Sequence, residues 1–424
     1  MFTRFGAKSG SAAAVASVWE ANCLDASRVM AIAAAALVPA STAAASVAIA
    51  LMLLVWLGSG RVLDTLRSAA SQRVGQAILV FLAVLAIDTL YSSASWAERW
   101  GSLWSWRKLL FGFILLGIFA DDIWKRRFLN AFVIVSAVGL AASFIAWLGL
   151  VPSKSGHSPG VLLTNHATQG MTFVIAALCC LELQQSAGRR IRSLLQTMAL
   201  LFAANVVFIS TSRSAYLALA CVALTWGCKR LGWRRFPLAV GATAVLVLIA
   251  FSLSPNLRER VQQGVDEVRL YQTSPELTSA GVRVVFFKNT LDLIKDRPLL
   301  GYGTGSFAKE YRDRFSGPEL GWRGTPTGDP HNQYLFIAVE NGLLGLAAFV
   351  AVLAVAFWES RGTGAYRGVI RGILLAWCVT SLFNSHFRTF PEGHLIWLFA
   401  GAMLAAAARG EASSMTRRSQ LFSR

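Results

Sequence analysis

Only five histidines occur among the 424 residues. One of them, His331, follows Asp-Pro in the stretch GTPTGDPHNQYLFIAVENGLLGL (324–346), where a polar loop becomes an apolar helix. An imidazole with its ordinary pKa near 6.5 can accept a proton at neutral pH. Taken alone, His331 reads equally as a helix-capping or solvated residue. Arg283 stands in the first turn of a helix expected over 278–298, where a cation opposes the helix dipole at about 0.3–1 kcal/mol. Either its long side chain reaches away to water, or guanidinium and helix N-terminus converge on one bound anion. Arg213 lies in FISTSRSAYLALA (208–220), a short polar turn between two apolar runs. It reads as a snorkelling arginine or as part of an anion site among helix ends. No carboxylate cluster suited to a divalent ion accompanies these residues. Paired carboxylates for glycoside hydrolysis, and a nucleophile with an oriented base, are likewise not apparent. The expected chemistry is anion stabilisation with proton removal, using no metal and no cofactor.

The elements that must hold these side chains are apolar. The chain is 55% hydrophobic and 15% charged, against about 25% charged in soluble domains. Apolar runs fall at 29–39, 41–58, 75–93, 107–121, 128–151, 168–184, 194–211, 214–228, 236–253, 332–358, 368–384 and 391–408. They predict an all-α polytopic membrane protein of about twelve transmembrane helices. Pro39 is either a turn between two spans or a kink within one. All cysteines except Cys23 sit in or beside these runs, and none shows metal or disulfide spacing.

The net charge of +18 would suggest nucleic acid in a soluble protein. Here Lys and Arg cluster between apolar runs, at 61–73, 125–127, 189–192, 229–235 and 361–371. These connections are expected on the cytoplasmic side, and no nucleic-acid partner is expected. The segment 254–331, and all of His157, His166, His331, His386 and His394, then fall outside. The expected division is an N-terminal tail (1–28), spans over 29–253, an outer loop (254–331), spans over 332–408 and a C-terminal tail (409–424). The outer loop carries helical periodicity at 254–271 and 278–298. LLGYGTGSF (299–307) follows, with glycines that permit a tight turn or close backbone approach. Tyr302, Trp322 and Tyr334 offer either sugar-stacking faces or interfacial belt aromatics.

GVRVVFFKNTLDLIKDRPLLGYGTGSF (281–307) with PHNQYLFIAVENGLLGL (330–346) resembles the O-antigen ligase and polymerase superfamily. STSRSAYL (210–217) and NHATQG (165–170) fit the same pattern. The resemblance implies a metal-independent, inverting glycosyltransferase of the GT-C type in the bacterial inner membrane, with its large loop in the periplasm. It would move a glycan from undecaprenyl diphosphate onto lipid A–core, as a monomer among inner-membrane lipids. Arg213, Arg283 and His331 carry over as functional positions. Asn332, Gln169, His166, Tyr334 and Arg388 complete the expected substrate-binding set. An O-antigen polymerase or protein O-glycosyltransferase would use the same donor. A transporter of lipid-linked sugar should show internal repeats and midplane ionisable residues. Asp88 is the nearest such residue, and no repeat is found.

Overall fold

The computed structural model describes residues 7–152, 158–271, 278–362 and 364–406. His157 and the segment 409–424, expected as a C-terminal tail, lie outside them. Among the described residues there is no strand. The helices are, in order, α1 (Ala7–Leu37), α2 (Thr42–Leu57), α3 (Val62–Ala70), α4 (Arg73–Asp88), α5 (Trp96–Ser105), α6 (Lys108–Ile118), α7 (Asp122–Trp147), α8 (His166–Leu183) and α9 (Arg189–Phe208). They continue with α10 (Arg213–Leu231), α11 (Phe236–Leu253), α12 (Pro255–Leu270), α13 (Gly281–Asp296), α14 (Phe307–Phe315), α15 (Gln333–Glu359), α16 (Arg367–Thr380) and α17 (Phe390–Leu404).

Every expected apolar run overlaps a helix, but not every helix has the length of a span. Five are long and apolar enough to cross a membrane, or six if α2 and α3, bent by 107°, form one broken span. At 1.5 Å per residue, the 11 residues of α6 reach about half of a ~30 Å hydrocarbon core. Helix α1 begins at Ala7, so much of the expected N-terminal tail is helical. Pro39 lies in a turn between two helices rather than in a kink. Ser41 caps α2 by accepting from Ala44 N–H at 3.2 Å, and α1 and α2 pack against each other.

Helices α8 and α17 are buried along nearly their whole length. Phe399 on α17 meets Phe128 and Phe132 of α7 edge-on at 4.9 Å. Helix α11 is the opposite case, apolar yet exposing Leu238, Val245, Leu246 and Leu248. Such a surface suits lipid rather than water.

Between the long helices, residues 254–271 and 278–331 fold against the bundle. Ser254 ends α11 and caps α12, accepting from Leu257 N–H at 3.2 Å and donating to Val207 O at 2.6 Å. The expected helices at 254–271 and 278–298 are α12 and α13. The glycine-rich stretch wedges into a break in α15 at Gly342. There Tyr302 and Gly303 N–H donate to Val339 O and Glu340 O at 2.9 and 2.7 Å, and Leu343 N–H donates to Pro298 O at 2.8 Å. Gly303 has φ +91°, and a Cβ on it would collide with Ser92. Both the left-handed backbone and the close approach require glycine.

Candidate functional site

A ring of contacts closes around the N-terminal ends of α10, α13 and α15. Arg213 is the first residue of α10, behind the capping Ser212. Its Nε donates to Arg260 O at 3.2 Å, and its Nη2 lies 3.7 Å from Glu267 Oε1. Gly264 on α12 makes room for that guanidinium, since a Cβ there would sit 3.2 Å from Arg213 Cζ. Glu267 Oε2 accepts from Ala280 N–H at 2.7 Å, which ties Arg213's partner to the start of α13. Arg283 and Phe286 share a face of α13 at i, i+3 spacing. The Phe286 ring lies nearly parallel to the His331 ring, with centroids 6.1 Å apart at 14°.

His331 has φ +56°, a left-handed conformation that costs an ordinary residue about 1–2 kcal/mol. Asp329 holds it there. Asp329 Oδ1 accepts from His331 N–H and from the Ser385 hydroxyl, each at 2.7 Å. Asp329 Oδ2 lies 3.4 Å from Arg388 Nη2. Asn384 Nδ2 then donates to Ser214 Oγ at 2.7 Å and returns the ring to Arg213's neighbour. The buried Lys108 supports this turn by donating to the carbonyls of Arg388 and, at 2.8 Å, Thr389.

The electrostatics are cationic with one neutral base. Burial lowers the pKa of Arg283, the Arg213 charge lowers it further, and Asp329 and Glu267 oppose. Among the described residues its guanidinium forms no ion pair and no hydrogen bond. Burial also lowers the His331 pKa, Asp329 opposes, and Arg283 adds to the lowering. The imidazole is therefore neutral at pH 7 and able to accept a proton.

The other expected residues divide. Asn332 caps α15, accepting from Tyr334 and Leu335 N–H at 3.0 and 3.1 Å and donating to Leu382 O at 3.0 Å. Tyr334 donates to Cys378 O at 2.8 Å. Gln169 accepts from Leu162 and Leu163 N–H and donates to Ser143 Oγ and Gly160 O, so its amide is engaged inside the protein. These three position the helix ends. His166 is exposed at the first turn of α8. Arg388 lies over the Phe336 ring at 3.9 Å, paired with Asp329. His386 and His394 are buried. Among the described residues no group of three or more His, Cys, Asp or Glu side chains could hold a metal ion.

Reading the sequence missed Asp329, Glu267 and Ser385. Asp329 carries a local signal, since it stands two residues before His331 in an Asp-Pro turn. Glu267 carries none, because its role depends on α12 folding back over the start of α10.

Long lipid-facing helices around a buried helical core define a multi-pass, all-helical membrane protein. Residues 198–350 match the family model described as O-antigen ligase, and this stretch contains Arg213, Glu267, Arg283, Asp329 and His331. The match covers roughly a third of the chain and is a likeness to that family over this stretch. A Haemophilus influenzae protein named only "Uncharacterized protein" is 24% identical over 116 residues, which is 27% of this chain and 28% of that protein.

Proposed function

We propose that the protein is an O-antigen ligase, transferring polysaccharide from undecaprenyl diphosphate to lipid A–core at the periplasmic face of the bacterial inner membrane. The observation that carries this reading is Arg283, a half-buried cation with no carboxylate partner among the described residues, set beside Arg213 and the His331 ring. A buried charge is costly unless something of opposite sign meets it. A lipid diphosphate is such a group, and it brings the energy of its glycosyl bond to a compartment without ATP.

The step is a single displacement with inversion. The acceptor hydroxyl oxygen attacks the anomeric carbon while its proton passes to His331. The anomeric C–O bond to the diphosphate breaks, and that electron pair leaves as negative charge on undecaprenyl diphosphate. Arg213 and Arg283 stabilise the charge as it develops. Asp329 fixes the backbone of His331, and Glu267 steadies Arg213. This division of labour supports a metal-independent, GT-C-type transferase, with Arg388 and His166 at the rim where sugars would enter.

Deleting the gene and resolving lipopolysaccharide by gel tests it. Loss of the whole ladder, with polymer accumulating on the lipid carrier, supports ligation. A core bearing a single repeat would replace it with polymerisation. Purified protein that forms no product from carrier-linked glycan and core acceptor would overturn the transferase reading.

A further inference from the structure

The opposite ends of the same helices hold a second polar feature. A cavity of about 380 Å³ is lined by Gln184, Gln185, Arg192, Gln196 and Arg230. It lies where α8 ends, α9 begins and α10 ends, whereas Arg213 and His166 begin α10 and α8 at the other end. Helix α9, with 20 residues, separates the two by about 30 Å, the thickness of a hydrocarbon core. This end also carries Arg189, Arg190, Arg234 and Arg235, the composition of a cytoplasmic surface.

Two exposed arginines give the cavity a positive charge. The nearby carboxylate, Glu182, is taken by Lys229 at 2.6 and 2.8 Å and by Gln185 at 2.9 Å. The Arg192 guanidinium donates to Ala187 O at 3.3 Å, and Arg230 rests on the Trp226 ring at 5.2 Å. Neither has a carboxylate partner among the described residues. Gly188 precedes α9 with no side-chain cap, and it shares a face with Arg192 and Gln196. Its first-turn N–H groups add to the positive potential. A second observation narrows the ligand. Gln184 is 2% exposed, and its Oε1 has no hydrogen-bond partner. A headgroup that joins an anionic phosphodiester to a hydroxyl could meet both the arginines and this acceptor.

We infer that this cavity binds the headgroup of an anionic glycerophospholipid of the phosphatidylglycerol type. The phosphodiester would lie between Arg192 and Arg230, with a headgroup hydroxyl donating to Gln184. Basic pockets between membrane helices are suited to such headgroups.

The test is lipid retention by the full chain, purified in detergent and measured by native mass spectrometry. Wild type should retain phosphatidylglycerol about tenfold or more over phosphatidylethanolamine, since one charge-assisted contact is worth about that factor. R192Q/R230Q should lose the preference while keeping its thermal unfolding midpoint. R190Q, altered on the opposite face of α9, should keep it. Equal retention of the two lipids by wild type, or undiminished preference in R192Q/R230Q, would overturn the inference. Displacement of bound phosphatidylglycerol by millimolar inorganic phosphate would assign the cavity to a free anion and overturn the lipid assignment.

Discussion

At the scale of single residues, the site's behaviour follows from one neutral imidazole beside two cations. His331→Ala should lower the transfer rate by about 10²–10⁴, the usual cost of losing a general base. The pH dependence has a definite sign. The base works only when deprotonated, so the rate rises with pH through the His331 pKa and then levels. Burial and Arg283 hold that pKa below 6.5, so the acid limb of kcat/KM should lie below pH 6.5. Arg283→Gln removes a charge that lowers the pKa, so its residual activity should show a limb moved to higher pH. Asp329→Asn removes a charge that raises it and should move the limb lower. A limb unmoved by either change would mean that His331 is not the titrating group. Arg213→Ala and Arg283→Ala should each cost about 10²–10³ in rate, the magnitude for one donor to a developing anion. Arg→Lys should recover only part, because an ammonium cannot present the planar fork.

At the scale of elements, the helices 254–271 and 278–298 and the close backbone approach at 299–307 were legible from periodicity and glycine content. Their partners were not. Gly303 serves a gap between Ser92 and the break in α15, some two hundred residues apart in one direction. Gly303→Ala should destabilise the protein by about 1–3 kcal/mol through left-handed strain alone, and by more through the collision with Ser92. The check is the thermal midpoint in detergent, with the lipopolysaccharide ladder as a second readout. Glu267→Gln tests the link from α12 to α10 and α13. Its charge pairs with Arg213 while its other oxygen accepts from Ala280 N–H. The substitution should reduce kcat with little change in midpoint, since the amide keeps the hydrogen bond and loses only the ion pair.

At the scale of the whole molecule, the positive-inside pattern predicts that the two ends of the bundle face opposite sides. Gly328 and Gly188 both have open space where a side chain would go, and they flank the candidate site and the basic cavity. Single cysteines, Gly328→Cys and Gly188→Cys, should therefore be tolerated. A membrane-impermeant maleimide added to intact spheroplasts should label position 328 and leave 188 unlabelled until the cells are lysed. The reverse pattern would place His331 in the cytosol and remove the proposed reaction.

Hydrophobic composition and periodicity are properties of short windows, and from them the chain announces helices, a membrane setting and the polar helix ends where Arg213, Arg283 and His331 stand. Local chemistry also singles out those three residues, because a cation in a first turn and a histidine at a loop–helix junction are unusual wherever they occur. Pairing is not a property of a window. Folding alone distinguished Gln169, engaged by Leu162, Leu163, Ser143 and Gly160, from Arg283, left without a carboxylate. Folding also made Asp329 the hub joining His331 to Ser385 and Arg388. The contacts from Asp329 to Ser385 and Arg388 join residues more than fifty positions apart, and only three-dimensional packing determines which hydrogen-bonding groups are already satisfied and which still face a ligand.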